Sequence, residues 1–380
     1  MSLQLPPLSL YVHIPWCVRK CPYCDFNSHA QKGDLPEKAY IQCLIADLKE
    51  ESRLAQGREI QSIFIGGGTP SLFSADSFRR LLTEIDKVIP IQPEAEITLE
   101  ANPGTFEQDK FRGYRSAGIN RLSIGIQSFD AHQLKALGRI HSPDEAIEAA
   151  TLARELFPKL NLDLMHGLPG QTEAGALQDL NRAIALQPDH LSWYQLTIEP
   201  NTEFNVHPPV LPVDEVLWTI QEQGQERLKQ AGYTQYEISA YALRESSRAQ
   251  HNLNYWQFGD YIGIGAGAHG KLTLLHEQQI IRRWKQKQPK AYMQAITRLG
   301  GHSPISQKEL PFEFMLNVLR LHEGVSVDLL TARTGLTSDQ LSAPLSLARQ
   351  KGLMEVDASW LRPSEKGRLF LNDLLELFID

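Results

Sequence analysis

Through its first two-thirds the chain alternates short strand-like runs with helical segments, and this rhythm restricts the fold more than any other property. Strands are expected at 8–14, 62–66, 96–100, 121–127, 161–166 and 190–197. Helical patterns lie between and after them, near 37–55, 75–88, 106–117, 143–157, 173–186 and 214–231. Asp144 and Glu145 near one start, and Gly118 and Gly232 near two ends, fit the preferences of helix termini. Repeated strand–helix units imply parallel strands joined by right-handed crossovers. Six units fall short of the eight that close a barrel, so the expected architecture is α/β, a partial (β/α)6 barrel.

The strands carry a second signal. Ile97 and Leu99 alternate with Glu96, Thr98 and Glu100; Leu122, Ile124 and Ile126 alternate with Ser123, Gly125 and Gln127; Leu162 and Leu164 flank Asp163. A closed barrel is normally filled by branched apolar side chains. Here one face suits outer helices and the other is polar, which points to a hydrophilic ligand in the barrel mouth.

The expected division is 1–240 for the barrel, 241–305 for a loosely patterned connecting segment and 306–380 for a C-terminal module. In that last region Leu316, Leu319, Leu321, Leu329, Leu330 and Leu345 precede a hairpin formed by 352–356 and 360–362. Helices followed by a hairpin suggest a mainly helical, winged-helix-like domain. The net charge of −7, from 38 basic and 45 acidic residues, argues against a nucleic-acid groove. The cationic run at 282–287 reads as a solvated helix face or loop, or as a contact for acidic groups. No apolar run approaches the roughly 20 residues of a spanning helix. With no secretory signal and few cysteines, the expectation is a cytoplasmic protein that is not an integral membrane protein.

Cys17, Cys21 and Cys24 follow directly on the first strand. Their C-x3-C-x2-C spacing offers three thiolates to one metal centre. A zinc site would need a fourth ligand, for which His13 or His29 lies close enough in sequence. A [4Fe–4S] cubane on three cysteines would leave one iron open. Cys43 sits beside Ile41, Leu44 and Ile45 and reads as a buried thiol. The run Gly66–Gly67–Gly68–Thr69–Pro70 closes the second strand and permits close backbone approach. The run at 263–270 lacks the strand–turn–helix context of a dinucleotide fingerprint.

The residues Tyr11-Val12-His13-Ile14-Pro15-Trp16-Cys17 and Cys21-Pro22-Tyr23-Cys24-Asp25-Phe26 resemble the cluster loop of radical S-adenosylmethionine (SAM) proteins. More narrowly, they resemble the family of oxygen-independent coproporphyrinogen III dehydrogenase and its haem-chaperone relatives. The resemblance runs over nearly the whole chain. It implies the same partial barrel and a [4Fe–4S] cluster on Cys17, Cys21 and Cys24. It also implies SAM chelating the fourth iron, and a flavodoxin-type reductant. By position it implies SAM contacts at Tyr11, Tyr23, Gly67, Gly68, Thr69, Glu100, Gln127, Arg139, Asp163 and His269. Family enzymes bind a second SAM, and Gln127, Arg139 and Asp163 fit either site.

Two functions share these motifs. The dehydrogenase is a radical SAM decarboxylase of porphyrin biosynthesis; its loop has a further cysteine two residues after the last ligand, where this chain has Phe26. It also has a longer segment before its cluster. His251-Asn252-Leu253-Asn254-Tyr255-Trp256 resembles the HNxxYW motif of the chaperones, which implies haem as cargo and His251, Tyr255 and Trp256 as its contacts. The expectation is therefore a haem chaperone without coproporphyrinogen dehydrogenase activity. It would deliver haem to acceptor haem proteins, membrane respiratory complexes among them.

Overall fold

Twelve strands share one sheet in the computed structural model, which describes residues 3–104 and 108–379. At its centre β1 (Leu8–Ile14), β2 (Ile60–Gly67), β3 (Ile91–Ala101), β4 (Arg121–Gln127), β5 (Lys159–His166) and β6 (His190–Gln195) run parallel in sequence order. The helices that follow them are α1 (Glu37–Glu51), α2 (Ala75–Val88), α3 (Phe111–Ala117), α4 (Pro143–Leu156), α5 (Glu173–Ala185) and α6 (Asp214–Gln230). Residues 106 and 107 of the third expected helix lie outside the described residues. Side-chain chemistry sets the helix ends: Ser142 and Glu145 form a reciprocal capping box at the start of α4. Gly118 ends α3 in the left-handed conformation. The open parallel arrangement is the one that the strand–helix rhythm predicts.

The alternation within the strands sorts as expected. Ile97, Leu99, Leu122, Ile124, Ile126, Leu162 and Leu164 join one large apolar core. The opposite face is polar, and its end nearest the strand starts is closed by ion pairing. Glu96 lies 3.3 Å from Arg121 and 2.9 Å from Lys159, and accepts from the N–H of Gln250 at 2.8 Å. Gln250 begins a seven-residue helix, Gln250–Trp256, which seals this floor. The mouth, at the strand C-terminal ends, is the open side.

The stretch 241–305 corrects one expectation. It contains regular strands of the same sheet: Asp260–Ile264 pairs parallel with β1, and His269–Leu274, Gln279–Lys285 and Leu299–Pro304 follow antiparallel. At the other edge Thr234–Glu237 and Ala240–Ala242 add to β6. The glycines and charges of this region hide its period. The cationic run is likewise a strand, not a solvated helix face. Arg282 pairs with Glu313, Arg283 with Glu51 at 2.8 Å, and Lys285 with Asp47 at 2.5 Å.

The C-terminal region packs Leu310–Val318, Val327–Thr334 and Ser342–Gln350 around a second core. Leu3, Phe258 and Ile280 enter that core from outside the region. The expected hairpin is present in reduced form, with Glu355 N–H donating to Arg362 O at 3.0 Å and Val325–Ser326 adding a third strand beside Trp360–Leu361.

Candidate functional site

Immediately after β1 the chain leaves the sheet, makes an excursion and returns. A two-residue parallel ladder, Trp16 opposite His29 and Cys17 opposite Ala30, closes the base of this loop. Cys24 N–H turns back to Cys21 O at 3.1 Å, and Phe204 N–H donates to Pro22 O at 3.0 Å. The turn after β2 supports the loop from beneath. Gly68 N–H donates to Ile14 O and Thr69 N–H to Trp16 O, each at 2.7 Å. A Cβ on Gly68 would stand 2.4 Å from Trp16 O, so only glycine allows this approach.

Cys17, Cys21 and Cys24 all face one cavity of about 790 Å³ in the barrel mouth. Burial and the two neighbouring thiols push Cys17 up to about 11. Three thiols crowded this way favour a cationic centre that holds them as thiolates. Among the described residues no group of three or more His, Cys, Asp or Glu converges on a single ion position. His13 is spent as a fourth ligand: its Nδ1 bonds Tyr11 OH at 2.8 Å and its Nε2 bonds Asn27 O at 3.0 Å.

The deeper wall is acidic. Glu100 accepts from Gly67 N–H at 3.1 Å, and burial together with the nearby Asp163 raises its carboxyl to about 8. Asp163 is raised by burial as well, although Ser123 and Asn161 donate to it at 3.0 and 2.8 Å. Among the described residues neither carboxyl forms an ion pair, and two desolvated carboxyls side by side suit a positively charged ligand. Gln127 ends β4 with a φ of 70° and accepts from Tyr194 OH at 2.9 Å. A non-glycine residue in that region stores local strain of a kind found at binding sites. Arg139 donates to Gly125 O at 2.6 Å and Asn102 at 2.8 Å, with Cys21 Sγ 3.9 Å from Nη1.

Of the residues singled out from sequence, the cavity brings together the three cysteines, Tyr23, Gly67, Gly68, Thr69, Glu100, Gln127, Arg139 and Asp163. Five others stand apart from it. Tyr11 is half-buried and packs against His13 and Phe64. His269 is exposed at the start of its strand. His251, Tyr255 and Trp256 belong to the floor helix. The His251 ring lies 4.0 Å from Phe64, the Tyr255 ring 4.6 Å from Tyr261, and the Arg320 guanidinium sits 4.2 Å over Trp256. Desolvation lowers His251 to about 3, so it is neutral.

Sequence reasoning missed Asn102, His141, Ser192 and Tyr194, all of which line the cavity. Ser192 and Tyr194 alternate with Leu191 and Trp193 along β6, the same polar period used for the other strands. Asn102 bridges Thr69 Oγ1 at 3.1 Å and Arg139, a role that only the fold reveals.

Comparison with known proteins identifies the chain's relatives. Residues 11–183 match the radical SAM superfamily, and residues 305–370 match the HemN C-terminal domain. The chain is 53% identical to Heme chaperone HemW of Escherichia coli over 378 residues, covering 99% of each. It is 34% identical to the mitochondrial radical S-adenosyl methionine domain-containing protein 1 of Bos taurus, covering 97% of this chain and 86% of that protein. Its fold matches the E. coli coproporphyrinogen III oxidase HemN, a radical SAM enzyme, with a TM-score of 0.82 at 24% identity, covering 98% and 90% of the two chains.

Proposed function

Since the chain belongs to the radical SAM superfamily and, within it, to the heme chaperone HemW family, we propose that it binds haem and passes it to acceptor haem proteins. The observation that supports this most is the match to the chaperones over 99% of the chain, in which three thiols and an acidic pair line one cavity. Cys17, Cys21 and Cys24 would hold a [4Fe–4S] cluster, and Tyr23, Gly67, Gly68, Thr69, Glu100, Gln127, Arg139 and Asp163 would hold SAM. Bound there, cluster and SAM supply one-electron chemistry at the sulfonium, fed by a flavodoxin-type reductant.

The chain's own residues have separable tasks. Glu100 gives up its proton as a cationic cofactor enters, because burial and the nearby Asp163 raise its carboxyl to about 8 and a positive charge there favours the ionised form. Arg139 orients Asn102 and the backbone at Gly125, keeping the mouth open beside Cys21. The turn at Gly68 and Thr69 holds the base of the cysteine loop, so the three thiols keep one orientation. The helix Gln250–Trp256 closes the floor and keeps water from entering behind the cofactor. A haem iron at His251 would require this helix to leave its seat.

The alternative, a coproporphyrinogen dehydrogenase, shares the cavity, but Phe26 stands where that family's enzymes have a further cysteine. Anaerobic reconstitution followed by haem titration tests the proposal. Iron and sulfide near four each per chain, with a Soret band that saturates, is the expected result. A chain that retains no haem would overturn it.

A further inference from the structure

The cavity has two electrostatically opposed ends. Its inner wall holds the half-buried carboxyls of Glu100 and Asp163, with Ser123 and Ser192 beside them. Its rim is apolar and basic. Val18 is 50% exposed, Phe26 63% and Ile140 64%, and all three line the cavity. Large apolar side chains left bare at the edge of a concave site mark a ligand surface more often than chance.

Arg19 and Lys20 stand on the same rim, both exposed. Among the described residues neither has an ion-pair partner; Lys20 donates instead to Phe26 O at 3.2 Å. Glu145, also in the lining, spends its carboxylate on the N–H of Ser142 at 2.8 Å. The rim therefore offers two cations beside an apolar ledge, formed from two separate loops. A cationic sulfonium cofactor belongs at the acidic wall and gains nothing from such a rim. A broad apolar ring bearing two carboxylates matches it in both polarity and sign.

We infer that haem docks across this rim, with its ring against Val18, Phe26 and Ile140 and its propionates toward Arg19 and Lys20, so that the cargo roofs the cavity. The inference rests on the reading of this chain as a haem binder and names where that binding occurs. It assigns Phe26 a positive role as contact surface. It also leaves the floor helix intact, since the rings of His251, Tyr255 and Trp256 are already packed against Phe64, Tyr261 and Arg320.

The test is haem titration of the anaerobically reconstituted full chain, with haem and haem dimethyl ester as probes. The variants are the pair Arg19→Glu with Lys20→Glu, then Ile140→Asp, then His251→Ala. Iron content is counted in each. Charge reversal is expected to weaken haem at least tenfold and to abolish the preference for free propionates over the ester. Ile140→Asp, outside the cysteine loop, is expected to weaken haem comparably at full cluster content, and His251→Ala to retain parental affinity. If the parent binds haem and Ile140→Asp and the charge-reversed pair bind as tightly, the rim is not the site and the chaperone reading stands. Loss of haem in His251→Ala alone would likewise overturn the rim. If the parent itself binds no haem, the function falls, and the rim with it.

Discussion

Glu100 is the side chain whose surroundings say most about what the cavity takes. In the unfolded chain its carboxyl releases its proton near pH 4.5, but in the folded protein only near 8. Between those values the folded state holds the extra proton, so this group lowers stability as pH rises. Asp163 is shifted the same way, and Tyr11, Tyr194 and Tyr255 face the pair as neutral phenols. In the cofactor-free protein, Glu100→Gln should flatten the fall in melting temperature between pH 6 and 8.5; parallel profiles would contradict this. SAM affinity should rise over the same range in the parent. In Glu100→Gln it should be flat and weaker by about ten- to a hundredfold, the size of a charge-assisted contact worth roughly 1.5–3 kcal/mol. Replacing Cys17, Cys21 or Cys24 by Ser should abolish iron and sulfide, while Cys43→Ser, whose thiol lies against Met293 O, should not. At this scale the sequence exposed groups whose chemistry is unusual for a strand: adjacent cysteines, and carboxyls on an inward face. It did not expose Asn102 or His141, because their roles come from chain segments meeting in space.

At the scale of elements, the cysteine loop is held by two glycine turns. The second, within 263–270, serves close packing against the loop. Asn27 follows the cysteines and donates through Nδ2 to Ala266 O and Lys287 O, each at 2.9 Å. Gly267 has a φ of 79°, and a Cβ there would lie 2.3 Å from Asn27 Nδ2. Gly267→Val should therefore loosen the loop. Anaerobically purified protein should retain less iron while its far-ultraviolet circular dichroism stays parental; undiminished iron would show that this clasp is dispensable. The floor helix gives a second expectation. His251→Ala removes a ring packed 4.0 Å from Phe64 and should cost about 1–3 kcal/mol, read from the denaturant midpoint. An unchanged midpoint would show that the packing contributes little. The six parallel strands were legible because apolar residues alternate cleanly in them. Asp260–Ile264 was not, because Gly263 and the neighbouring glycines carry no side-chain period.

Over the whole molecule, the charges that looked like a solvated patch tie the sheet to its helices. Asp47, Glu51, Arg283, Lys285 and Tyr292 form one buried network between α1 and the strand Gln279–Lys285. Such partners are far apart in sequence, which is why the run alone reads as a solvated helix face or loop. No helix among the described residues is long and apolar enough to cross a membrane. The fold class and the three thiols were legible because each leaves a local pattern. The separation of acidic wall from apolar, basic rim was not, since it arises only when the cysteine loop and the turn at Ile140 meet across one cavity.

Cargo carrier and decarboxylating enzyme share this cavity, so the direct test offers both ligands at once. The reconstituted protein is incubated anaerobically with SAM, reductant, haem and coproporphyrinogen, then separated from free ligand. The expected result is haem retained with the chain and coproporphyrinogen recovered unchanged. Protoporphyrinogen formed with no haem retained would contradict the account and make this chain an enzyme.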